Sequence, residues 1–160
     1  MTNNVSIIEA VTDEQLEEIR VLFREYQSWL NIDLCFQDFE EELNTLPGYY
    51  ASPLGRVYLV VDDKSGQSVG CVALRPVSQG KCEMKRLYIR DDWKRLGLGR
   101  ELAELVIDEA RQAGHSIMCL DTFNHLSAAI ALYKSLGFSS VKTQRDNSKN
   151  DVCYMERALS

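Results

Sequence analysis

The feature that most constrains this chain is the stretch MKRLYIRDDWKRLGLGREL, residues 84–102. A strand-like run ends near Ile89, a short polar turn follows, then come Gly97 and Gly99, and then a helical pattern. The first turn of a helix leaves backbone N–H groups without partners, and its dipole favours negative charge there. Gly97 and Gly99 carry no side chain to block a close approach. Lys94, Arg95 and Arg100 add positive charge. Such a device holds a phosphate or diphosphate. Glycines also serve plain tight turns, so spacing alone leaves a purely structural turn open. A dinucleotide fingerprint needs a third glycine at the first strand–helix junction, and a P-loop needs Gly-Lys-Ser/Thr; neither is present.

Charge supports a small anionic ligand over nucleic acid. The 160 residues carry 18 Lys+Arg against 24 Asp+Glu, a net −6, where a general nucleic-acid binder is normally basic. Residues 1–50 hold eleven acids against two bases. Residues 85–100 reverse this, with Lys85, Arg86, Arg90, Lys94, Arg95 and Arg100 against Asp91 and Asp92. One basic segment in an acidic protein points to a compact anion.

The length suits a single domain with a real core. No run of eighteen apolar residues suggests a membrane span, and MTNNVSIIEAVTDEQ lacks the charged start and apolar stretch of a signal peptide. A cytoplasmic location without membrane contact is the expectation. The cysteines are Cys35, Cys71, Cys82, Cys119 and Cys153, odd in number and widely spaced. They form neither a disulfide framework nor a zinc knuckle, and His115 and His125 are the only histidines. Buried thiols and no metal site are expected.

Periodicity orders the elements. Val5–Ile8 opens as a strand, and Thr12 or Asp13 caps a helix with Ile19, Leu22, Phe23, Tyr26, Trp29 and Leu30 at helical spacing. A second helix runs from Phe39 to Leu46, ended by Pro47-Gly48. Val57–Val61 and Ser68–Arg75 form a hairpin, and Lys81–Ile89 a third strand. A helix follows from about Gly97 to Ala113, lined by Leu98, Leu102, Leu105, Val106 and Ala110 and capped by Gly114. Ile117–Leu120 is a short strand, and Asn124 or Ser127 caps a last helix bearing Ala129, Leu132, Tyr133 and Leu136. Phe138–Thr143 and Val152–Glu156 close the chain, with the polar QRDNSKND between them expected to be a mobile loop. The order β-α-α-β-β-β-α-β-α-β-β predicts an α/β (α+β) fold around a mixed sheet.

Two motifs on these elements resemble the GNAT superfamily of N-acetyltransferases. The family's signature Arg/Gln-x-x-Gly-x-Gly/Ala becomes Lys94-Arg95-Leu96-Gly97-Leu98-Gly99. Its second, A-x-x-L-Y-x-x-x-G-F, becomes Ala129, Leu132, Tyr133, Gly137 and Phe138. The close match runs from roughly Val69 to Phe138, and DLCFQDFEEEL, EMKRLYI and LDT are similar to a bacterial subgroup of small acetyltransferases. Lys94 departs from the usual Arg or Gln, where the backbone can serve equally. Leu126 stands where many relatives carry an asparagine, and Asn124 is the substitute two residues away.

The resemblance implies a GNAT-type sheet with a splayed strand pair and helices on both faces. About residues 1–55 then form the acceptor side, 56–140 the acetyl-CoA core and 141–160 the closing strands. It implies acetyl-CoA as co-substrate, its diphosphate on the amides of Arg95, Leu96, Gly97, Leu98, Gly99 and Arg100. Leu87, Tyr88 and Ile89 pair with the pantetheine arm after a bulge, the Leu87 amide polarising the thioester carbonyl. Asn124 and Ala129 line the arm. Tyr133 is the acid for the departing thiolate, and Glu83 is the base, acting through water. Spacing alone favours Tyr133 as a core aromatic, a reading that the motif around it reverses, and leaves Glu83 open as an ordinary surface glutamate on a strand.

The acceptor side spans about Leu22 to Tyr50, where Trp29, Phe36, Phe39, Tyr49 and Tyr50 lie among acids. Glu40, Glu41 and Glu42 are either a second source of base and substrate binding or a solvated helix face. An acidic, aromatic rim suits a small cationic amine, polyamine-like or amino-acid-like. The expected function is acetyl transfer to such an amine; a non-catalytic acyl-CoA-binding module of the same fold is the alternative. Relatives often pair through their closing strands, so a homodimer is compatible with the resemblance.

Overall fold

The structure, a computed structural model, describes residues 4–30, 38–142 and 151–159. Thr12 starts the first helix with a reciprocal cap. Its hydroxyl accepts from the Gln15 amide at 3.1 Å, and the Gln15 side chain accepts from the Thr12 amide at 3.0 Å. The elements follow in chain order as β1 (Val5–Glu9), α1 (Asp13–Leu30), α2 (Phe39–Asn44), a 3-10 turn (Gly48–Tyr50), β2 (Arg56–Asp62), β3 (Ser68–Ser78) and β4 (Lys81–Ile89). A second 3-10 turn (Asp91–Trp93), α3 (Leu98–Gln112), β5 (Ile117–Phe123), α4 (Ser127–Ser135), β6 (Ser139–Ser140) and β7 (Val152–Ala158) complete them.

The strands form one seven-stranded sheet in the order β1-β2-β3-β4-β5-β7-β6. Every neighbouring pair is antiparallel except β4 with β5. The middle of the sheet is buried on both faces, so alternate residues feed two cores. Val72, Leu74, Cys82 and Met84 join Leu98, Leu102, Ala103, Val106 and Ala110 of α3. Cys71 and Ala73 join Leu16, Ile19, Leu22 and Phe23 of α1 with Phe39 and Leu43 of α2. The site therefore lies in a sheet that is covered on both sides.

Several boundaries differ from expectation. The second helix stops at Asn44, where Leu46 is buried and Pro47 opens the 3-10 turn. Neither Asn124 nor Ser127 caps α4; Leu126 occupies the cap position with no side-chain bond. The strand expected over Phe138–Thr143 shrinks to Ser139–Ser140. Thr143, most of the QRDNSKND segment, Phe36 and Cys35 lie outside the described residues. Cys71, Cys82 and Cys119 are free and buried, and Cys153 is half-buried and free. Among the described residues no helix is long and apolar enough to cross a membrane.

Candidate active site

The site begins with a register error in β4. Ala73 faces Lys85 while Cys71 faces Tyr88, so β4 has one more residue than β3 across that gap. Arg86 takes up the excess at φ 60°, a left-handed conformation that bulky residues adopt only where the surroundings enforce it. The partner on the other side also leaves. β4 pairs with β5 only at Lys81, Cys82 and Glu83, opposite Ile117, Met118 and Cys119. Beyond that point β5 stays with β7 and β4 stays with β3, so the two strands diverge. Leu87, Tyr88 and Ile89 line one arm of this V. Their N–H and C=O groups have no ladder to β5, an edge that can accept an added extended chain.

The arm runs into the glycine-opened tip of α3. Gly97 sits at φ 82° at the helix start, and Arg95 at φ 65°. A Cβ built on Gly97 meets nothing within 4 Å, whereas one on Gly99 meets Leu132 at an ordinary 3.7 Å. The open space thus lies over Gly97, and left-handed residues next to a helix start form an anion-binding concavity. Leu98 is buried, so only its backbone faces this space. Arg95, Leu96, Gly97 and Arg100 are exposed. Arg100 binds the Ser135 hydroxyl at 2.6 Å and clasps the tip to α4.

The basic segment splits into two. Lys94 pairs with Asp91 at 2.9 Å and lies 4.3 Å over the Trp29 ring, leaving its backbone for a ligand at the tip. Arg90 is held by Glu25 at 2.8 Å. Arg86, buried, forms a bidentate pair with Glu42 at 3.0 and 2.9 Å and lies over Phe39. Lys85 and Arg86 therefore belong to the α1/α2 face, not to the helix tip. The acidic helix face is likewise largely matched: Glu40 holds Arg24 and Glu17 holds Arg20. Glu41 is exposed.

Glu83 is not a surface glutamate. It is 2% exposed at the apex of the V, opposite Arg75 in β3, whose guanidinium binds it at 2.7 Å. The alternation that sends Cys82 and Met84 to the α3 face sends Glu83 and Lys85 to the α1/α2 face. Tyr133 is also buried, edge-on to Phe138 at 6.0 Å. Burial pushes its phenol up from the ordinary value, and the Tyr26 phenol adds to the rise. Tyr133 belongs to the α3 core and Tyr26 to α1 on the other face, so the two approach where β4 and β5 have parted. Ile89 is buried and Leu87 half-buried in the α3 core, as is Ala129. Asn124 is exposed and its amide donates to the Asp151 carbonyl at 2.9 Å.

Sequence reasoning placed Trp29 on an aromatic rim but missed Tyr26 and Tyr88 as its neighbours there. Tyr26 stacks on Trp29 at 6.2 Å, and Tyr88 leans on both, its hydroxyl 3.4 Å from Glu25. The i, i+3 spacing of Tyr26 and Trp29 was visible; Tyr88 joining them depends on the bulge. Trp29 is 44% exposed and Tyr49 69% exposed, while Phe39 and Tyr50 are core residues. The Glu42–Arg86 pair carries a stability prediction. Glu42→Ala removes the bidentate partner of a buried guanidinium and is expected to cost about 3 kcal/mol. Denaturant unfolding measures this, and an unchanged midpoint contradicts a structural role for the pair.

Residues 16–138 match the model of the acetyltransferase (GNAT) family. An N-acetyltransferase of Schizosaccharomyces pombe is 36% identical over 99% of this chain and 97% of its own. A ribosomal-protein alanine N-acetyltransferase of Escherichia coli is 32% identical over 69% of this chain and 78% of its own. A GNAT-family acetyltransferase structure from Staphylococcus aureus superposes with a TM-score of 0.82 at 20% identity, covering 98% of this chain and 99% of that one. The chain that carries these parted strands, the bulge in β4 and the glycine-opened helix tip thus belongs to the GNAT family of N-acetyltransferases.

Proposed function

We propose that this acetyltransferase moves an acetyl group from acetyl-CoA to a small primary amine by direct attack. One observation carries the reading: β4 leaves β5 after Glu83, bulges at Arg86, and its backbone, free on the β5 side, leads through a short turn to the open tip over Gly97. Bound acetyl-CoA supplies an activated thioester. The amides of residues 95–100 hold its diphosphate, and Leu87, Tyr88 and Ile89 align the pantetheine arm, with Asn124 and Ala129 along its far side. The Leu87 amide then hydrogen-bonds the thioester carbonyl, a contact often worth ~3 kcal/mol of barrier lowering.

The amine must be neutral to attack. A lysine-like amine of pKa ~10.4 is neutral about once in 2,500 molecules at pH 7, which costs ~4.6 kcal/mol. Glu83, reached through a water, takes the proton as the C–N bond forms. Tyr133 gives its proton to the sulfur as the C–S bond breaks. The acceptor enters from the α1/α2 face past Trp29 and Tyr88, whose rings favour a cationic amine. A protein N-terminus is the second reading, supported by the name of the Escherichia coli relative.

A free-thiol release assay across an amine panel tests the proposal, and wild-type protein that releases no thiol with any amine contradicts it. Glu83→Gln keeps the shape of the side chain and its contact to Arg75. It is expected to lower kcat ~100-fold with little change in KM for acetyl-CoA. Wild-type kcat in this variant removes Glu83 as the base.

A further inference from the structure

We infer that Lys85 anchors a carboxylate of the acceptor, so that the acceptor is an amino-acid-like zwitterion and not a polyamine. The inference rests on the acetyl-transfer reading above and names its substrate class. Three observations carry it. First, strand alternation puts Lys85 on the same face as Glu83, one residue before the bulge. Side chains two apart on one face stand ~7 Å apart, so Lys85 flanks the place where an amine reaches both Glu83 and the thioester.

Second, the neighbouring charges are already matched. Arg75 pairs with Glu83 at 2.7 Å and Arg86 with Glu42 at 2.9 Å. Lys85 is half-buried, and among the described residues no ion pair or hydrogen bond engages its ammonium. Among the described residues the floor of the acceptor side therefore carries one ammonium with no ion-pair partner of its own, attracted only at longer range by Glu83 and Glu42, each already paired to an arginine. Third, that charge is uncomfortable. Burial, joined by the Arg86 guanidinium and Arg75, pulls the Lys85 ammonium below its ordinary value against Glu83 and Glu42. A half-buried cation without a counter-ion is destabilising, and an entering carboxylate relieves it through a charge-assisted hydrogen bond. A second ammonium, as in a polyamine, would meet repulsion at the same point. The aromatic wall of Tyr26, Trp29 and Tyr88 receives the ammonium end.

The test compares matched acceptors: free L-amino acids, the same compounds as carboxamides, their decarboxylated amines, and spermidine. Wild type, Lys85→Met and Lys85→Arg are each assayed by thiol release, with acetyl-CoA binding followed by calorimetry. The expected wild-type kcat/KM is roughly tenfold or more higher for a carboxylate than for its carboxamide. Lys85→Met is expected to collapse that ratio to near one, chiefly through KM for the acceptor, with acetyl-CoA affinity unchanged. Lys85→Arg is expected to retain most of it. The inference is overturned by a wild-type ratio near one, by a ratio that survives Lys85→Met, or by a preference for spermidine or peptide N-termini. Mass spectrometry showing an acetyl group on Lys85 itself also overturns it, since the lysine is then an acceptor. Wild-type protein that acetylates amines but ignores the carboxylate refutes this inference alone. Protein that fails to bind acetyl-CoA refutes the acetyl-transfer reading, and the inference with it.

Discussion

Tyr133→Phe is expected to bind acetyl-CoA as wild type does and to lose ~100-fold or more in kcat. The ring packs edge-on against Phe138 in the α3 core, and phenylalanine keeps that packing. Only the hydroxyl is lost, and with it the proton for the departing sulfur. The raised pKa gives a second readout. A group held above its ordinary value stays protonated through neutral and mildly alkaline solution. The acid is therefore available at every pH up to about 10, and kcat should show no alkaline fall from Tyr133 in that range. Turnover at the wild-type rate in the variant leaves Tyr133 a core residue with no part in the chemistry.

Gly97→Val is expected to abolish measurable acetyl-CoA binding. The residue stands at φ 82°, ψ 5°, a region that L side chains enter at a cost of roughly 1–2 kcal/mol and β-branched ones at more. For a chain of this size that cost lowers Tm by roughly 3–8 °C. The larger effect is on the ligand, because the added side chain occupies the open space over the tip. Gly99→Ala separates strain from blockade. Its Cβ meets only Leu132 at an ordinary 3.7 Å and the signature admits alanine at this position, so both Tm and acetyl-CoA binding should hold. Thermal melts with and without acetyl-CoA read both effects. A Gly97→Val protein that still gains stability from acetyl-CoA contradicts the placement of the diphosphate.

What could be read from the residues divides by the range of the interaction. The span of β4, the Gly97 helix start and the Gly114 turn are set by neighbours in sequence, and the structure places them as expected. The bulge at Arg86 depends on how β4 registers against β3, which no local pattern encodes. The Arg86–Glu42 pair joins residues 44 apart, so counting charge along residues 85–100 assigned Arg86 to the wrong partner. Glu83 shows the same limit. Its strand was legible, but its 2% exposure and its pairing with Arg75 across the sheet depend on packing that no local pattern encodes. At α4, two good capping residues sit near the start and neither caps it, because the chain enters through Leu126. The roles of Tyr133 and Glu83 came from motif resemblance; Tyr133 lies in the α3 core and Glu83 is buried where the β4–β5 pairing ends, and the variants above decide their part in the chemistry.

The central claim is that one ligand spans the tip of α3 and the V between β4 and β5, with its reacting sulfur at Tyr133. A crystal structure of the protein with a non-hydrolysable acetyl-CoA analogue tests it most directly. The account predicts the diphosphate on the amides of residues 95–100, the arm along Leu87–Ile89, and the sulfur within hydrogen-bonding distance of the Tyr133 hydroxyl. A diphosphate bound elsewhere, or a Tyr133 hydroxyl turned away from the sulfur, contradicts it.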